Sequence, residues 1–149
     1  MTVARLDKQI GAPPRAAALH EDELEIHLRI DTLADAIRNK NLDRVMTHYA
    51  PDVAAYGLLP PLDSHGIAAY RKNIEKWFES MAGRICYELL DVQVSASETH
   101  AFCHCLVHVL GARTGGGRAD YWVRITRGWR KVDGEWLVAH ELISMPSMM

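Results

Sequence analysis

Arg127 stands between Ile125 and Trp129, and an arginine among such neighbours needs an anionic partner, because burying an unpaired charge is prohibitive. Its guanidinium can hold a carboxylate or stabilise an enolate. Two histidines, His104 and His140, lie in flanking segments of similar texture, and imidazole titrates near neutral pH, so either can serve as a general base. Asp91 adds a carboxylate in the same half of the chain. Tyr70, Tyr56 and Ser144 can orient a bound molecule, and His108 and Trp77 complete the candidate ligand-binding set.

Several motifs lead elsewhere and stop. His104 and His108 are four residues apart, a chelating spacing on a helix, but on a strand it separates the side chains by about 13 Å. Cys86, Cys103 and Cys105 contain no Cys-x-x-Cys pair and read as small buried hydrophobes in a reducing compartment. Thr114-Gly115-Gly116-Gly117 precedes a strand rather than a helix, so it is no phosphate loop. There is no Gly-x-Ser-x-Gly elbow. Neither a metal nor a cofactor is expected.

The elements that must position these residues divide the chain in two. Acids at Glu21-Asp22-Glu23 suit a helix N-terminus, and Ile26, Ile30, Leu33 and Ile37 recur at helical spacing, which predicts a helix over 21–39. Residues 1–20, with Gly11, Pro13 and Pro14, show no sustained period and are expected to form a flexible arm or a short leading helix outside a single domain, 21–149. Asn41 caps a second helix that Pro51 ends, and a short strand spans 53–58. A third helix follows Gly66, with Ile67, Tyr70, Ile74, Trp77, Phe78 and Met81 on one face and Gly83 as its stop. Trp77 and Phe78 serve the core first and a pocket wall second. Four strands follow, around 84–95, 100–112, 118–131 and 135–145, joined by turn residues that include Asp133-Gly134. Helices first and an antiparallel meander last is an α+β layout.

Hairpin counting pairs these strands. A two-residue turn at Asp133-Gly134 sets Val132 against Glu135, Trp129 against Val138 and Arg127 against His140. A symmetric loop at 114–117 sets His104 against Arg127, and a symmetric turn at Ser97-Glu98 extends the row to Asp91. One face then carries Phe102, Leu106, Ile125, Trp129, Val138 and Leu142, crossed by the polar row His104–Arg127–His140, the composition of a small-molecule pocket. The other face carries Cys103, Cys105, Val107, Val109, Trp122, Arg124, Glu141, Ile143 and Met145. It is too apolar to be left in water and is expected to be a homodimer interface, with Arg124 and Glu141 close enough to pair.

Composition bounds the partners. Lys plus Arg number 17 against 19 Asp plus Glu, a net charge of −2, whereas a nucleic-acid or anionic-membrane binder is normally strongly basic. The N-terminus lacks the apolar core of a signal peptide and no run approaches membrane-spanning length, so a cytoplasmic protein is expected. Hydrophobic residues at 48% and charged residues at 24% exclude disordered and fibrous classes.

The layout, together with Trp129-Arg130-Lys131-Val132-Asp133-Gly134-Glu135-Trp136 followed by His140, Ser144 and Pro146, resembles the nuclear-transport-factor-2-like superfamily. More narrowly it resembles its SnoaL-like and ketosteroid-isomerase-like small proteins, and also the association domain of calcium/calmodulin-dependent protein kinase. The resemblance covers roughly residues 21–146 and implies a cystatin-like cone with a central pocket, its outer sheet face often used for dimerisation. It places the association domain's pocket arginine on Arg127 and its strand histidine on His140. The helix histidine of that pocket falls on Tyr70, and a second arginine on Leu106, which implies a less basic pocket. The general-base aspartate of ketosteroid isomerase would fall near Gly57 and its oxyanion tyrosine near Leu33, so that mechanism does not carry over.

Three readings follow. In the first the protein is a SnoaL-like isomerase, cyclase or dehydratase, with His140, His104 or Asp91 catalytic and Arg127 anchoring a hydrophobic carboxylate or enolisable substrate. In the second the same pocket only binds a small hydrophobic ligand, neutral or anionic, or the chain is an oligomerisation module. In the third the polar row is structural and Arg127 pairs internally with Asp91 or another carboxylate.

Overall fold

The structure, a computed structural model, describes residues 14–147. Helix α1 (Pro14–Arg38) buries Ile26, Ile30, Leu33 and Ile37, the periodic set. It reaches back to Pro14, inside the stretch expected to be an arm. Residues 1–13 lie outside the described residues. Asn41 caps the short α2 (Leu42–Met46), its side chain accepting from the Arg44 amide at 3.2 Å.

Strand β1 (Tyr49–Tyr56) starts before Pro51 rather than after it. Pro51 donates no ladder bond, and the register of β1 on its neighbour shifts between Tyr49 and Ala54. β2 (Ser64–His65) and α3 (Ile67–Ser80) follow, then the meander β3 (Met81–Ala96), β4 (His100–Arg113), β5 (Arg118–Val132) and β6 (Glu135–Ser144). Gly83 does not end α3. It lies in β3 with φ +71, where the β3–β4 register shifts.

The six strands form one curved, unclosed sheet in the order β2-β1-β6-β5-β4-β3, with the N-terminal helices packed against it. The α+β class is as expected. The far end of α1 is tied down by Arg38 Nε donating to the Tyr87 carbonyl at 3.0 Å and Lys40 Nζ to the Met81 carbonyl at 2.6 Å. Its near end is held by Asp22, which accepts from Lys131 Nζ and Trp136 Nε1, each at 3.0 Å.

Register is where structure and hairpin counting part. The Asp133-Gly134 turn forms as expected, both residues at positive φ, and pairs Val132 with Glu135 and Trp129 with Val138. A bulge then intervenes, so Gly128 faces His140 and Arg127 faces Glu141. The β4–β5 connection leaves Ala112 against Arg118, an odd-numbered link over 113–117 rather than a symmetric one. Arg127 therefore faces Cys103, not His104. A second bulge in β3, between Leu90 and Gln93, leaves Asp91 exposed at φ +57. A shift of one residue moves every side chain to the opposite face. Cys103, Cys105, Val107 and Val109 are thus buried on the inner face, while Phe102, His104 and Leu106 point outward. Burial pushes the thiols of Cys103 and Cys105 above the usual cysteine range. β5 keeps its expected sides, with Val123, Ile125, Arg127 and Trp129 inward and Trp122 and Arg124 outward.

Candidate functional site

Between α3 and the inner face of the sheet lies a cavity of about 280 Å³. Ile74 and Trp77 of α3 form one wall, and Val109, Val123, Ile125 and Ile143 of the sheet form the other. Exposed Leu58, Leu59 and Lys76 mark its solvent-facing end, and buried Tyr70, Arg127 and Glu141 its inner end. An apolar cleft with a few convergent polar groups is the usual form of a small-molecule site.

Arg127 is 3% and Glu141 2% exposed, and Arg127 Nε donates to Glu141 Oε2 at 2.8 Å. Tyr70 Oη donates to Glu141 Oε1 at 2.7 Å and lies 2.8 Å from Tyr49 Oη, while the Tyr49 hydroxyl donates to Oε2. Every neighbour of the Glu141 carboxyl is thus a donor, the surroundings a carboxylate needs when it leaves water. Burial and then the Glu141 charge hold both hydroxyls well above the usual tyrosine range, so they stay protonated donors. Burial pushes the Tyr87 hydroxyl up to about 12, against the pull of the nearby Arg127 charge. Burial also opposes the Arg127 charge, but the Glu141 carboxylate beside it outweighs that and holds the guanidinium protonated.

The residues expected at this site separate into two groups. Arg127, Tyr70, Trp77 and Tyr56 line the cavity, Tyr56 at its exposed end. The expected row is not assembled. His104 is exposed on the outer face, its ring stacked near Phe102 at a centroid distance of 6.4 Å. His108 stacks on Trp122 at 4.6 Å and bonds Asp120 at 2.7 Å, also outside. His140 faces Gly128 and meets the Tyr56 ring edge-on at 5.3 Å. Ser144 accepts from Arg124 Nε at 3.1 Å, so Arg124 pairs there and not with Glu141. Asp91 is exposed, and the partner of buried Arg127 is Glu141.

Glu141 is the residue hairpin counting misplaced. Its signal is in the sequence: Arg127 demands an anion, and β6 offers two acids, Glu135 beside the turn and Glu141 farther along. Tyr49 was also missed, since it belongs to a strand and not to the end of a helix. His48, beside it, is buried with neither ring nitrogen hydrogen-bonded, and burial followed by Arg29, Arg127 and Arg44 lowers its pKa to about 4. It is therefore a neutral core histidine. Among the described residues no cluster of three or more His, Cys, Asp or Glu is placed to hold a metal, and no helix is long and apolar enough to cross a membrane.

The sequence model of the SnoaL-like domain matches residues 26–148. None of the curated proteins matches the chain. Among solved structures, a nuclear-transport-factor-2-like protein from Pseudomonas putida is 27% identical over 87% of this chain and 90% of its own, with a TM-score of 0.78. A ketosteroid isomerase-like protein from Erwinia carotovora atroseptica is 20% identical over 85% and 98%, with a TM-score of 0.74. The association domain of the Caenorhabditis elegans kinase CaMKII is 18% identical over 86% and 98%, with a TM-score of 0.66. The fold is therefore the cystatin-like one that the sequence resemblance implied.

Proposed function

This chain belongs to the SnoaL-like domain family, and from that premise we propose that it binds a small, mainly apolar molecule in the cavity between α3 and the sheet. One observation carries the proposal: an apolar cleft whose inner end is a buried Arg127–Glu141 pair flanked by Tyr70 and Tyr87. The fold alone hosts enzymes and binding modules alike, so the site has to decide. Of the expected bases, His104 faces solvent and His140 does not line the cavity. The carboxylate that does line it, Glu141, already accepts from Tyr49, Tyr70 and Arg127. Binding needs no change in that network, whereas proton abstraction by Glu141 would neutralise it and leave the buried Arg127 without its counter-charge. Binding is the reading the geometry favours.

The test is a thermal-shift screen of hydrophobic carboxylates and their neutral analogues against wild type and Ile74→Trp. The larger side chain fills the cavity from its half-buried α3 wall without touching the ion pair. A ligand at a hundredfold excess over its dissociation constant stabilises by about 2.7 kcal/mol. At least one compound is expected to raise the melting temperature of wild type and not of Ile74→Trp. Shifts that survive in Ile74→Trp, or none in wild type, contradict a cavity site.

The proposal includes a homodimer through the outer sheet face. Phe102 is 52% and Trp122 47% exposed there, with Leu106 and Leu142 also exposed, large apolar side chains that a second copy would cover. Trp122 and Arg124 remain in this interface, and Met145 lies beyond the end of β6. Glu141 and Ile143, expected in it, face the cavity instead. Sedimentation is expected to give a dimer for wild type and a monomer for Trp122→Glu, and equal assembly of the two would exclude this face.

A further inference from the structure

We propose that Glu141 sets the charge class of the ligand, selecting an uncharged polar head group at the inner end of the cavity and rejecting a carboxylate there. This rests on the cavity being the binding site. On sequence grounds Arg127 is an anion anchor. In the structure its charge is already matched, because Glu141 lies 2.8 Å from Nε and both groups are buried. The inner end therefore carries no net charge.

A carboxylate brought to that end leaves water and meets a guanidinium and a like-charged carboxylate side by side. Attraction to one is offset by repulsion from the other, so nothing repays its desolvation. A carbonyl or hydroxyl loses far less on leaving water and needs only a donor. Arg127 has five N–H donors and lines the cavity; Nε serves the ion pair and one further N–H serves the Tyr87 hydroxyl, which leaves donors for a ligand oxygen. Tyr70, whose own proton goes to Glu141, keeps an oxygen lone pair that can accept from a ligand hydroxyl. A negative charge elsewhere on the ligand fits only the solvent-facing end, where Lys76 stands.

The discriminating probes are 2-acetylnaphthalene and 2-naphthoate, which share a hydrocarbon body and differ in head-group charge. Calorimetric titration at neutral pH is expected to show wild type binding the ketone at least tenfold more tightly than the acid. In Glu141→Gln the arginine is left without its counter-charge, and the acid is expected to gain at least tenfold relative to the ketone. Wild type decides the matter alone if that variant does not fold. Equal or tighter binding of the acid by wild type, lost in Ile74→Trp, overturns the selectivity and leaves the cavity site standing. Binding of neither probe removes this inference together with the cavity site.

Discussion

Arg127→Ala is expected to lose about 3–5 kcal/mol of stability, the usual cost of stranding one member of a buried ion pair. For a chain of this length that is a fall in melting temperature of roughly 10 °C or more. The loss comes less from the missing attraction than from Glu141, left buried with two tyrosine hydroxyls and no counter-charge. Glu141→Ala is expected to cost a similar amount, with Arg127 as the stranded group. The joint replacement Arg127→Met with Glu141→Leu removes both charges and keeps volume, so it is expected to recover more than half of either loss. Chemical denaturation of wild type, Arg127→Met, Glu141→Leu and the joint variant gives the coupling directly. Additive losses would show that the two side chains do not act as a pair. Because Arg127→Ala destabilises for this structural reason, its loss of ligand binding could not by itself prove an anchoring role.

Trp136→Ala is expected to cost a comparable 3–5 kcal/mol, from the cavity left by a large core side chain. Trp136 is 0% exposed, and its Nε1 donates to Asp22 of α1 at 3.0 Å, so it joins the helix to β6 at the end remote from the ion pair. Trp136→Phe keeps most of the packing and removes the N–H donor, while Asp22 retains Lys131. It is expected to lose about 1 kcal/mol beyond the packing difference. Equal losses in the two variants would place the contribution in the hydrogen bond instead of the packing.

The fold was legible because its signals are local. The 3.6-residue period from Ile26 to Ile37, the stripe from Ile67 to Phe78 and the Asp133-Gly134 turn each name an element without reference to the rest. The site was only half legible because it depends on sums along the strands. Arg127 and Tyr70 declare themselves, one by charge among hydrophobes and one by its place on the helical stripe. Their partner does not. Counting from the turn is correct as far as Trp129 and Val138, then fails at a bulge beside Gly128, the one glycine within β5 and the signal that the count passes over. The same count fails between β4 and β5, because the glycines at 115–117 permit loops of either parity. Two one-residue errors exchanged His104 for Cys103 and His140 for Glu141, and a catalytic-looking histidine row became a satisfied ion pair. The requirement that Arg127 find an anion was sound, and only its identity was wrong.

In a crystal structure of wild type with 2-acetylnaphthalene bound, the naphthalene ring is expected between Trp77 and Ile125, its carbonyl oxygen toward Arg127, with the Arg127–Glu141 pair intact. Density on the outer sheet face beside Trp122, with an empty cavity, would contradict the cavity site.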